Sequence, residues 1–153
     1  MKEFNYDLDY KSLDFTNEET RELYRIGRGE QGVLLVRPYT DDICAHWRFK
    51  TPEIALESAH TIFDMYLDYL EEKDFIGMDM CRKFLEMGFT RSRRYANHHT
   101  GKKYADEGNV RPHDPDHDTC KYAESAKVFK RVRDIVAKNK TYVMMRKQWR
   151  SNE

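Results

Sequence analysis

The stretch from Thr51 to Leu70 constrains the fold more than any other part of this chain. Thr51 is suited to cap a helix, Pro52 to the first helical position and Glu53 to the positive end of the helix dipole. Ala55, Ala59, Ile62, Tyr66, Tyr69 and Leu70 then recur every three or four residues, the spacing of one buried helix face. A second helical pattern covers Phe75 to Met87, with Met78, Cys81 and Leu85 on one stripe and Met80, Phe84 and Met87 beside it. Gly88 reads as its stop, and Thr90 as the cap of a short helix through Arg91–Tyr95. From about Thr119 a long helix carries Tyr122, Ala126, Phe129, Val132 and Val136 on its apolar face. Asn139 breaks it, and Thr141 starts a last helix with Tyr142, Met145 and Trp149. A short helix is expected within Glu18 to Ile26.

Between these segments the pattern changes. Val33 to Val36 is rich in β-branched residues, and Ala45 to Phe49 alternates polar and apolar, with Pro38 to Asp42 between them as turn material. The two runs predict a small β-hairpin, which is marginal alone and must pack on the helices. His46, Arg48 and Lys50 would then share its wet face. Residues 1–17 read as an extended arm, with Phe4, Tyr6, Tyr10 and Phe15 to lay on the core. Residues 100–118 contain Gly101, Gly108, Pro112 and Pro115 and read as a mobile loop. The expected fold is therefore mainly α with a small β-hairpin (α+β), a compact helical bundle in which residues 1–153 form a single domain.

No apolar run approaches the ~20 residues that cross a bilayer, and the acidic, polar start lacks the apolar centre of a secretory leader. Cys44, Cys81 and Cys120 are odd in number and form no CxxC pair, which points to free thiols and a cytoplasmic location. Net charge is +0, so blanket attraction to nucleic acid is not expected. The charge is unevenly spread, however. From Glu53 to Asp79 there are eight acids against Lys73 alone, and from Cys81 to Ala105 seven bases against Glu86 alone.

Gly27-Arg28-Gly29-Glu30-Gln31-Gly32 is a literal G-x-G-x-x-G. A dinucleotide fingerprint needs a strand before it and a helix after it, and here the order of polar and apolar segments is inverted. A tight turn with glycines at positive φ is the leading reading; a phosphate-touching loop, with Arg28 and backbone N–H groups as donors, is the other. Between Arg91 and Tyr104 lie Arg91, Arg93, Arg94, Lys102 and Lys103, interleaved with Tyr95, Tyr104, His98 and His99. Guanidinium groups grip phosphate and tyrosine rings stack on bases, so this segment suits nucleic acid or a nucleotide. The plain alternative is a basic helix end paired to the acidic helix. His113, His117 and Cys120 make an H-x3-H-x2-C string, but Pro115 interrupts its periodicity, and neither a metal nor another cofactor is expected.

Four separated blocks, YRIGRGEQGVLLVRPY (Tyr24–Tyr39), HWRFKTPEIA (His46–Ala55), the run from Phe75 to Tyr104, and AESAKVFK (Ala123–Lys130), resemble in order an uncharacterised family, domain-of-unknown-function family 4385. Its members are small proteins of bacteria, some eukaryotes and viruses, tailed phages among them. The resemblance implies a single cytoplasmic domain and transfers no activity and no catalytic residue.

The expected function is a phosphate-recognising binding module for nucleic acid or a nucleotide. Arg91, Arg94, Lys102 and Lys103 would grip phosphates, Tyr95 would stack and His98 would hydrogen-bond, with Arg28, His46 and Arg48 as further candidates. Two other readings stand beside it. One is an enzyme acting on a phosphorylated small molecule, in which Arg28, Glu30, His46 and Arg48 converge with Arg94 and His98. The other is a protein-interaction factor, phage-encoded and acting on a host partner. No catalytic motif is present.

Overall fold

A computed structural model describes residues 2–153. A 3-10 turn, Tyr10–Ser12, precedes six helices: α1 Glu18–Arg21, α2 Tyr39–Cys44, α3 Pro52–Glu71, α4 Phe75–Asn97, α5 Lys121–Lys138 and α6 Lys140–Ser151. Helix α4 is the axle on which α2, α3, α5 and α6 all pack. Every residue from Phe75 to Leu85 is buried, on all sides of the helix, as the dense apolar sequence Phe-Ile-Gly-Met at its start demands.

The start of α3 follows its sequence. The Thr51 hydroxyl accepts from the Ile54 amide at 3.2 Å, with Pro52 in the first helical position. Asp74 caps α4 through the Gly77 amide, and its carboxylate is itself held by Arg21 at 2.7 Å and by the Tyr39 hydroxyl. Asn139 ends α5 and caps α6 through the Tyr142 amide at 3.1 Å.

Four sequence expectations are corrected. No strand is present among the described residues, so the β-hairpin does not exist; one isolated bridge joins Tyr104 and Val110. Val33 to Val36 is a turn, because Thr40 supplies the hydrogen bonds that a partner strand would have supplied. Its hydroxyl donates to the Val33 carbonyl and accepts from the Val36 amide, both at 2.9 Å. Residues 38–42 have the composition of a turn, yet Tyr39–Cys44 is helix. Ser58 of α3 does for the second run what Thr40 does for the first: it donates to the His46 carbonyl at 2.7 Å and accepts from the Arg48 amide at 3.0 Å. Side-chain bonds to main chain compete in this way with sheet ladders.

Gly88 does not end α4. The helix continues through Arg91–Tyr95 to Asn97, and the separate short helix merges into it. Thr90, expected to cap, lies inside the helix and bonds back to the Met87 carbonyl at 3.2 Å. Gly88 is where α5 approaches: a Cβ there would lie 2.4 Å from the Phe129 ring.

Candidate phosphate-binding cleft

The glycine string is a turn, with φ of +68° at Gly27, +53° at Gly29 and +79° at Gly32. Its carbonyls face cations. Arg150 donates to Gly27 O at 2.9 Å, Arg82 to Gly29 O at 2.9 Å and Lys83 to Gln31 O at 2.6 Å. Several of its amides are used within the turn: Arg28 N reaches Gln31 Oε1 at 2.8 Å, and Gln31 N reaches Arg28 O at 3.0 Å. A phosphate cradle needs the opposite polarity, with amides aimed outward at the ligand.

Beneath the turn lies a buried ionic centre that sequence patterning did not single out. Asp79 is 0% exposed, Lys83 0% and Arg82 6%. Asp79 accepts from Arg82 Nε at 2.8 Å and from the hydroxyls of Tyr142, at 2.6 Å, and Tyr24. Lys83 lies 4.0 Å from the Asp79 carboxylate and between the rings of Phe4 and Tyr24, 5.0 and 4.8 Å from their centroids. Burial alone would raise the Asp79 carboxyl; the charges of Arg82 and Lys83 and the hydrogen bonds outweigh it and hold the group well below the usual carboxylate range. Burial pushes the Lys83 ammonium down to about 7, Asp79 opposing and Arg82, Arg146 and Arg150 adding to the shift. The available signal was the Asp79-Arg82-Lys83 spacing inside the otherwise apolar run Phe75–Leu85, where charges must pair.

The basic segment divides among several places. Arg94, His98 and Lys103 line one cleft of about 320 Å³ together with Phe89, Thr90, Arg93, Asn97, Val110 and His113. It lies between the last turns of α4 and the loop that follows. Arg93 is held by Asn97 Oδ1 at 2.5 Å and faces Asp118 at 3.7 Å. Arg94 and Lys103 have no ion-pair partner among the described residues. His98 is 6% exposed, with its ring 5.5 Å from that of His113.

Other candidates lie elsewhere. Arg91 and Lys102 are exposed and outside this lining. Tyr95 is half-buried against Phe49 and Tyr122, at 5.7 and 5.4 Å between ring centroids, and is outside this lining. Arg28 pairs with Glu3 at 3.1 Å and lines a different cleft with Glu30. His46 and Arg48 line a third with Glu57 and Ser58. The convergence of Arg28, Glu30, His46 and Arg48 on Arg94 and His98 is not found. Nor does the acidic helix neutralise the basic segment: among the described residues no carboxylate of α3 forms an ion pair with it.

Among known proteins, a family described as Domain of unknown function (DUF4385) matches residues 5–152, nearly the whole chain. No curated protein and no solved structure matches it.

Proposed function

We propose that this chain, which belongs to the DUF4385 family, is a phosphate-recognising binding module for nucleic acid or a nucleotide, and that the cleft of Arg94, His98 and Lys103 is its site. The observation that carries this reading is the sign of the lining. Arg93, Arg94 and Lys103 meet there with His98 and His113, and no carboxylate is in the lining, although Asp118 faces Arg93 and Glu30 accepts from Thr90 at its edge. Four other clefts each include an acid in the lining itself: Glu57, Glu153, Glu30 or Asp114. Guanidinium and ammonium groups recognise phosphate by charge and by donor geometry. Phe89 and Val110 give the same cleft an apolar wall. At about 320 Å³ it is at the small end of ligand sites and fits one phosphate-bearing unit. The three free cysteines support a reducing, cytoplasmic setting.

Fluorescence anisotropy with short single-stranded RNA and DNA, and competition by free nucleotides, tests the reading across a salt series. Wild-type protein should bind at low salt and weaken as salt rises. Arg94→Ala with Lys103→Ala should lower both the affinity and the salt slope, by about one unit for each phosphate no longer neutralised. Arg91→Ala, outside the cleft, should change less. Absence of wild-type binding at low salt to any of these ligands would end the proposal.

A further inference from the structure

We propose that His99, Asp116 and Cys120 form a binding site for a divalent transition metal such as zinc, with a donor set that excludes magnesium and calcium. One ligand atom from each residue lies within 4.8 Å of the other two. His99 Nε2 is 2.9 Å from Asp116 Oδ1. Around tetrahedral zinc, with bonds of about 2.0–2.3 Å, neighbouring ligand atoms are roughly 3.5 Å apart, so small side-chain rotations complete the arrangement.

The backbone prepares it. The Cys120 amide donates to the Asp116 carbonyl at 2.9 Å, closing one turn that puts the two side chains on the same face. Asp114 is fastened to the end of α4 by its own amide, which donates to the Asn97 carbonyl at 2.7 Å. Its carboxylate then accepts from the His99 amide at 2.6 Å and lies 3.6 Å from His99 Nδ1. A carboxylate beside one ring nitrogen, leaving the other for the metal, is the usual support of a metal-bound histidine.

The chemistry of the donors narrows the ion. A carboxylate and a thiolate balance two positive charges. Sulfur and imidazole together favour zinc over magnesium or calcium, which take sets of oxygen ligands. Three protein ligands leave a fourth position for water or a substrate oxygen. The His99–Asp116 contact alone would be an ordinary exposed polar contact that contributes little. The turn that seats Cys120 beside Asp116 brings a thiol to the same point and completes a three-donor set. The string His113, His117 and Cys120 is not the site. His117 uses Nδ1 on the Asp114 carbonyl at 3.0 Å and Nε2 on Asp118 at 3.2 Å, and its ring packs on that of His113. The metal would clip the two ends of residues 100–118 together. Its binding stands whether or not the neighbouring cleft takes phosphate.

The test uses tag-free protein, treated with chelator and kept reduced with a phosphine. Isothermal titration with zinc should give one ion per chain. His99→Ala, Asp116→Asn and Cys120→Ser should each weaken binding at least about tenfold, since loss even of a residue supporting a metal ligand commonly costs about 10–100-fold. His117→Gln should leave the affinity unchanged. Cobalt added to wild-type protein should produce a sulfur-to-cobalt charge-transfer band in the near ultraviolet, which needs no variant to fold. Failure to saturate at one ion, a cobalt spectrum without the sulfur band, or full affinity in the Cys120→Ser protein would overturn the proposal.

Discussion

Lys83 Nζ donates to the main-chain carbonyl of Gln31 at 2.6 Å, so the middle of α4 grips the glycine turn by an oxygen atom. Arg82 and Arg150 grip Gly29 and Gly27 in the same way. The turn is thus an anchor for cations, and positive φ at Gly27, Gly29 and Gly32 gives it its geometry.

Lys83 should leave a mark on stability above neutral pH. Its folded-state value is about 7, below the ~10.4 of an exposed lysine. The unfolded chain therefore holds a proton that the folded chain lacks between these values, and this group's contribution to stability rises with pH. Chemical denaturation of wild-type protein should show such a rise between about pH 7 and 9, before tyrosines titrate. In Lys83→Met the rise should be shallower, whatever the change in absolute stability from leaving the Gln31 carbonyl without its donor. Equal slopes in the two proteins would refute the assignment.

Asp79 makes the opposite contribution, at low pH. Its carboxyl is depressed on folding, so its stabilisation is present above the unfolded value of about 3.9 and is lost as pH falls towards the folded value. Asp79→Asn leaves Arg82 and Lys83 buried without their counter-charge and should cost about 3–5 kcal/mol at pH 7. The variant should also lose less of its remaining stability than wild type between about pH 4 and 2.5. Urea melts at each pH decide both points, and a loss below about 1 kcal/mol would show the centre to be less tightly coupled than its geometry implies.

Gly88→Ala sets two effects against each other. Helix propensity favours alanine by about 1 kcal/mol at an interior helical position. Packing opposes it, because the new methyl would meet the Phe129 ring at 2.4 Å. Overpacking of this kind costs about 1–3 kcal/mol, so the variant should melt below wild type. A rise in melting temperature would mean that α5 moves away from α4 without penalty.

The legible parts of the fold were those specified locally. Thr51-Pro52-Glu53 carried the start of α3 in three adjacent residues, and the spacing from Ala55 to Leu70 carried its buried face. What failed depended on distant partners. The run Val33–Val36 has strand composition, but whether its polar groups meet a strand or a hydroxyl turns on Thr40, and for Ala45–Phe49 on Ser58 in the next helix. Gly88 reads as a stop until Phe129 is known to lie against it. The basic segment was visible as composition, yet only the fold separates Arg94 and Lys103, in one cleft, from Tyr95, packed inward on Tyr122. His99, Asp116 and Cys120 were hidden for the same reason: a long irregular segment separates the first from the other two, and no periodicity connects them.

The buried centre also orders events in time. Synthesis delivers the chain from its first residue onward, and Tyr142 and Arg150 are the last of the groups that close on Asp79 and Gly27. Until α6 has left the ribosome, the Asp79 carboxylate is short of one hydroxyl donor and the glycine turn of its Arg150 anchor. Helix α4 emerges earlier with Asp79, Arg82 and Lys83, charges it has no complete means of burying, and water must keep them company. The nascent domain therefore waits for its final helix before its interior can dry, and folding is completed by a contact between parts of the chain made far apart in time.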